Sequence, residues 1–287
     1  MAVRDRTYQS YAGPLTGDRW RFLVIPRYAY EDVFKSRRFL TMFVAAMVWP
    51  VISIIMIYLH HNLEALGILQ IRSGDLMPID ARFFLRYMSI QGSLGFGMAF
   101  QLGPPLVSLD LAHNALPMYL SRPFSRAEYL LGKLSVLAIL LSVITWVPGL
   151  VLFAFQASLA GLDWAIANLW LAGAVFVGAW IGILITALVT LALSAWVRWQ
   201  ALARGLLLGF FVFTAMFSEA INGLFRTDWG SVLNPVRMIG MVWSELFEIP
   251  IVGREMPVWG AWASLVVMSA IALFLLERKV RAYEVVG

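Results

Sequence analysis

The sequence predicts an all-α integral membrane protein with six transmembrane helices and both termini in the cytoplasm. Three observations predict it. Of 287 residues, 61% are hydrophobic. Only 14% are charged, where a soluble domain carries roughly 25%. The 39 charged residues are also gathered so that six long stretches between them hold at most one acid. So few charges do not keep the surface of a soluble domain wet, which excludes an ordinary cytosolic enzyme and a disordered chain.

The six stretches are 39–59, 87–109, 134–162, 164–197, 205–225 and 256–276, and the shortest has 21 residues. A helix rises ~1.5 Å per residue, so ~20 residues cross a ~30 Å hydrocarbon core. The runs are too long for barrel strands, and in lipid a helix satisfies its own backbone. Trimmed to helix length, the spans are about 39–59, 87–109, 134–157, 168–195, 205–225 and 257–276. Residues 1–38 then form a cytoplasmic N-terminal segment, and 39–287 a single six-helix transmembrane domain. The first apolar run lies behind a basic segment, so no cleavable signal peptide is expected. Of the 22 Lys and Arg residues, 16 fall on the N-terminal side of this arrangement and 6 on the other. That bias places the termini and the 110–133 connection inside.

Along the chain, Trp20, Phe22, Ile25, Tyr30, Val33 and Phe34 alternate with Arg19, Arg21, Arg27, Lys35, Arg37 and Arg38. This pattern predicts an amphipathic helix lying in the interface, with Pro26 starting or breaking it and Glu31–Lys35 as an i,i+4 pair. Pro50 and Pro148 are expected to kink the first and third spans. Gln101 is a neutral polar position near the inner end of the second span, beside Gly103-Pro104-Pro105. Ala174, Gly178, Gly182, Thr186 and Thr190 recur every four residues in the fourth span, and Gly205 and Gly209 do so in the fifth. Small residues at that spacing let helices approach closely, within one subunit or between two. Glu219 is the one acid inside a predicted span, with Asn222 three residues on. It either marks the translocation path or sits at the outer interface. Residues 229–257 are apolar in part but too interrupted to span, and are expected to form short interfacial or re-entrant helices.

Several chemistries are excluded. There are no cysteines, so thiolate metal sites and Cys nucleophiles are absent. The three histidines are too few for a His-built metal centre. Gly132-Lys133 is followed by Leu134 and lacks a glycine-rich approach, so the chain cradles no ATP phosphates. Gly92, Gly95 and Gly97 lie inside a hydrophobic span and make no dinucleotide fingerprint. No bound cofactor, no metal and no nucleic-acid partner is expected, and no catalytic residue.

The segment 110–133 carries the functional argument. Leu111, Leu116, Tyr119 and Leu120 fit one face of a short amphipathic helix, which Pro123 stops. Ser125 followed by Glu128 is a capping box that starts a new helix into the third span. Arg126 and Lys133 are placed at the headgroup level, where long basic side chains snorkel. Ser121, Pro123, Ser125, Arg126, Gly132 and Lys133 resemble the Ser-x-Pro-x-Ser-Arg…Gly-Lys loop after the second span in permease subunits of the ABC-2 type exporter family. Asn114-Ala115-Leu116-Pro117 departs from that family's Gly-Thr-Leu-Glu start. Six spans with both ends inside, the basic segment before the first span, Asn234-Pro235 and the charged Glu277-Arg278-Lys279 also resemble it. The resemblance implies a membrane subunit in the bacterial inner membrane that pairs with a second copy and with a separate ATPase subunit, which binds ATP and Mg. It further implies that Asp110, Asn114, Leu116, Tyr119, Ser121, Arg122, Pro123, Ser125, Arg126 and Glu128 form the coupling segment docked on that ATPase. Glu219, Asn222 and Gln101 are candidates for the translocation path. The alternatives are an ATPase-independent carrier or channel, which calls for more buried ionisable residues, and an integral membrane enzyme, which calls for clustered His, Asp or Glu at one level.

Overall fold

The computed structural model describes residues 22–68, 77–115, 119, 125–250 and 256–281. No strand occurs among them. The first helix, α1 (Val24–Val33), buries Ile25 and Pro26, with the proline in the first turn, where its missing N–H costs nothing. Lys35 does not meet Glu31. α1 ends at Val33, so Lys35 lies off the helical register and pairs with Asp32 at 3.1 Å, while Glu31 faces Arg27 at 4.0 Å. The Ser36 hydroxyl accepts from the Phe39 amide and starts α2 (Arg37–His61). The buried positions of α2, Phe39, Ala46, Pro50, Ser53 and Ile57, form one stripe at helical spacing. On its other faces Leu40, Val44, Val48, Val51, Ile52 and Ile55 are exposed, as a lipid-facing helix requires.

A short α3 (Leu63–Ile68) precedes α4 (Ala81–Ala112), which is capped by the Asp80 carboxylate on the amides of Arg82 and Phe83. Next come α5 (Arg126–Ile144), α6 (Trp146–Ala160), α7 (Leu162–Ala167), α8 (Leu169–Ser194) and α9 (Gln200–Phe225). Beyond α9, a 3-10 turn (Trp229–Leu233), α10 (Pro235–Leu246) and α11 (Val258–Arg281) complete the described chain.

Five segments are long and apolar enough to cross a membrane: Arg37–His61, Arg126–Ala160, Leu169–Ser194, Gln200–Phe225 and Val258–Val280. This is the character of a multi-pass membrane protein. α4 is not one of the five, although it is 32 residues long. Ser89, Gln91, Ser93, Gln101 and Pro104-Pro105 dilute its apolar content, and the packing explains why that is tolerated. α4 touches α2, α5, α6, α8, α9 and α10, so it runs through the middle of the bundle and needs little lipid-facing surface. α4 and α8 form the core, while α2, α9 and α11 bury narrower stripes around it.

The third expected span is two helices in series. The chain breaks at Thr145 (φ −106°, ψ −86°), three residues before Pro148. Pro148 and Pro50 each lack the N–H that would meet the carbonyl four residues earlier, on Ile144 and Ala46. The small-residue stripe on α8 is used within the chain. A Cβ on Gly103 of α4 would overlap Thr190, so the two helices meet there backbone to side chain. Gly178 and Gly182 instead face the Trp243 indole of α10. A Cβ on Gly205 or Gly209 would meet nothing within 4 Å, so that pair packs against no part of the described chain.

The expected short helices after the fifth span are the 3-10 turn and α10. Pro235 occupies the first turn of α10, and the Asn234 side chain accepts from the amides of Val236 and Arg237 at 3.1 and 3.2 Å. Residues 251–255, the first 21 residues and the last six lie outside the described chain.

Candidate functional site

The site centres on the point where α4 ends and α5 begins. α4 closes at Ala112, and Asn114 takes a left-handed conformation (φ 51°) that asparagine tolerates better than most residues. Ser125 caps α5. Its hydroxyl accepts from the Glu128 amide at 3.2 Å, and its own amide donates to Glu128 Oε2 at 2.6 Å. The capping box expected from Ser125 and Glu128 is therefore present. Arg126 follows as the first residue of α5 and is half-buried. Leu116, Ser121, Arg122 and Pro123 lie outside the described residues.

From this start, α5 presents Tyr129, Gly132, Lys133 and Val136 along one buried stripe. Lys133 does not snorkel. Its Nζ turns inward and meets Asp110 Oδ2 on α4 at 2.7 Å. The Tyr129 hydroxyl donates to the same oxygen at 2.8 Å. Lys133 is 7% exposed. An ammonium so buried needs both a counter-ion and further stabilisation, and here it has both. It stands 5.5 Å from the Tyr129 ring centre and 5.9 Å from that of Tyr119, inside cation–π range. The two tyrosine rings are 5.6 Å apart. Burial, and after it the Asp110 carboxylate, push the Tyr119 phenol above its ordinary range, so Tyr119 is a neutral ring here.

α1 fastens to the same stretch of α5. The Tyr30 hydroxyl donates to the Val136 carbonyl at 2.6 Å. Gly132 is where the two helices touch: a Cβ there would lie 2.5 Å from Ile25 Cδ1 and 3.0 Å from the Phe22 carbonyl oxygen. The amphipathic N-terminal helix, the end of α4, Tyr119 and the start of α5 thus form one joined unit. The Asp110–Lys133 ion pair and the Tyr129 phenol join α4 to α5, and the Gly132 contact joins α1 to α5.

At the other end of the bundle, Glu219 forms an ion pair with Arg237 of α10 and is largely exposed. Asn222 donates to Ser231 Oγ at 3.0 Å. A Cβ on Gly230 would press within 3 Å of Asn222 and the Ser218 carbonyl, so the 3-10 turn sits tightly on α9. Both candidate path residues on α9 therefore hold the α10 region against that helix. Gln101 does not join them. Phe96 of α4 and Phe211 of α9 touch with ring centres 4.7 Å apart. From that level Gln101 lies about 8 Å towards the Asp110 end and Glu219 about 12 Å the opposite way, counted at the helical rise.

Sequence reasoning missed Tyr129, the inward turn of Lys133 and the role of Trp243. A lysine within the 129, 132, 133 and 136 spacing is a signal for the second. A basic residue in the middle of an inward stripe must find an acid. No protein-family model matches the chain, and no curated protein matches it.

Proposed function

We propose that this chain is the membrane permease subunit of an ABC-2 type exporter, working as a dimer with a separate ATPase subunit in the bacterial inner membrane. α4 is the sixth span in this reading, and both termini face the cytoplasm with the Asp110–Lys133 end. ATP and Mg bind the partner ATPase. The observation that carries the reading is the joined unit of α1, Asp110, Tyr119, Tyr129 and Lys133. A docked ATPase pressing on the 110–128 connection moves α5, and with it the break at Thr145, instead of bending a loose loop. The Glu219–Arg237 and Asn222–Ser231 contacts are then the closed state of the outer end of the path, and Gln101 lies in its inner half.

The test is co-expression with a candidate partner ABC ATPase from the same organism. Leu116→Asp places a carboxylate on the docking face, where desolvation without a partner is costly. It should insert normally and lose either co-purification or transport-linked ATP hydrolysis. Arg4→Ala, far from the joined unit in sequence, should do neither. A Leu116→Asp protein that assembles and couples as wild type overturns the reading.

A further inference from the structure

We infer that a cavity in the middle of the bundle, roofed by Trp243, binds a neutral and largely aromatic small molecule. The inference deepens the transport reading by naming what the path would carry, and it rests on that reading for its purpose. The binding itself is measurable on this chain alone.

The cavity has a volume of about 370 Å³ and is formed by α4, α5, α8, α9 and α10. Three aromatic walls face it: Phe96, Phe211 and Trp243. Among the described residues no charged side chain lines it. An ion placed there would lose its water without gaining a partner, so the occupant is neutral. Four hydroxyls line it, those of Ser89, Ser93, Thr145 and Thr186. Ser89 Oγ donates to the Leu85 carbonyl and Ser93 Oγ to the Ser89 carbonyl, each at 2.9 Å, and Thr145 Oγ1 donates to the Leu141 carbonyl at 2.6 Å. These three offer a guest oxygen lone pairs, and the Thr186 hydroxyl can donate or accept. The site therefore favours a molecule with an apolar ring body and a single hydrogen-bonding group such as an amide. Ser89 and Ser93 are exposed and mark the mouth, on the flank of α4.

Trp243 is placed there by three glycines on two helices. A Cβ on Gly92 would lie 2.7 Å from the indole, and one on Gly178 or Gly182 3.2 Å from it. The indole N–H donates to the Gly178 carbonyl at 2.8 Å. One side chain of α10 thus closes the cavity from the Glu219 end. α10 is held to α9 by Arg237, so lifting α10 would withdraw the indole and open the cavity on that side.

The experiment uses the full chain in lipid nanodiscs and a neutral trifluoromethyl-phenyl diazirine carrying one amide N–H. After illumination, peptides bearing Met88, Phe96 or Phe211 should be labelled. A hundredfold excess of the non-photoactive analogue should cut that labelling at least fivefold. Labelling of Val266, on the exposed face of α11, should not fall. A quaternary ammonium analogue should not compete. Thr186→Leu and Ser93→Leu, which fill the cavity from different helices, should each remove the competed component while leaving the Val266 signal. Labelling of the cavity that is not competed, as expected if a lipid chain occupies it, overturns the proposal. So does equal competition by the cation, or competed labelling that survives both filling variants. Intact ATPase coupling alongside uncompeted labelling would sink this inference and leave the transport reading standing. Competed labelling in a chain that never couples would do the reverse.

Discussion

Gln91 of α4 donates its side-chain amide to the carbonyls of Ala46 on α2 and Ile144 on α5, at 3.2 and 2.5 Å. These are the two carbonyls that Pro50 and Pro148 leave without their helical N–H. One fully buried primary amide has two N–H groups, and each goes to one proline-orphaned acceptor. A turn earlier on α4, the Tyr87 hydroxyl donates to the Thr145 carbonyl at 2.9 Å. The carbonyls that the two prolines leave open in the first and third spans are thus satisfied by the helix between them, where lipid would offer no substitute.

Gln91→Leu keeps the volume and removes both bonds. Hydrogen bonds inside membranes average ~0.6 and reach ~1.7 kcal/mol, so a loss of about 1–3 kcal/mol is expected. Pro50→Ala restores the N–H facing Ala46 in a helix that is continuous through that point. In that background Gln91→Leu should cost distinctly less, which a double-mutant cycle by thermal unfolding in detergent would read. An equal cost in both backgrounds would show that the proline is not what Gln91 answers.

The Lys133–Asp110 pair makes a second contrast. Asp110→Ala leaves a buried ammonium without its counter-ion and should destabilise by roughly 3–5 kcal/mol. Asp110→Leu combined with Lys133→Met removes both charges and should stay within about 1–2 kcal/mol of the parent. Tyr129→Phe should fall between, losing one charge-assisted bond worth about 1–3 kcal/mol. If the double variant is as unstable as Asp110→Ala, packing and not charge holds the junction.

Glycine substitutions separate close contacts from open ones. Gly92→Ala forces the indole of Trp243 to move and should cost about 1–3 kcal/mol, a cost that disappears in a Trp243→Leu background. Gly205→Ala meets open space and gains about 0.5–1 kcal/mol of helix propensity. Unfolding midpoints of the four proteins decide this. A Gly92→Ala penalty that survives the loss of the indole would place the clash elsewhere.

Local signals in the sequence were sufficient for local features. Ser125 with Glu128 gave the start of α5, and the uncharged run 39–59 gave α2 to within two residues at each end. Pro148 announced the break at Thr145. What the sequence did not carry was any pairing across elements. Asp110 and Lys133 are 23 positions apart, and no periodicity says that one inward stripe faces the other. Gly178 and Gly182 read as a helix-packing stripe, because a glycine that accommodates an indole has the same spacing as one that accommodates a backbone. The six-span reading meets its limit at α4. A helix that touches six neighbours is chosen for packing, and its composition drifts from that of a lipid-facing span.

That helix sets the last prediction, since the transport reading needs it to cross the membrane. Arg82 lies in the first turn of α4 and His113 directly after the last, and both are exposed. The chain has no cysteine, so single cysteines report without background. Arg82→Cys and Glu64→Cys, on the α2–α4 side, should react with a membrane-impermeant maleimide added to intact cells. His113→Cys and Ser125→Cys should react only after the membrane is opened. Labelling of Arg82→Cys and His113→Cys together from outside would mean that α4 does not cross. The reverse pattern, with Ser125→Cys accessible and Glu64→Cys protected, would invert the orientation and turn the Asp110–Lys133 junction away from any cytoplasmic ATPase.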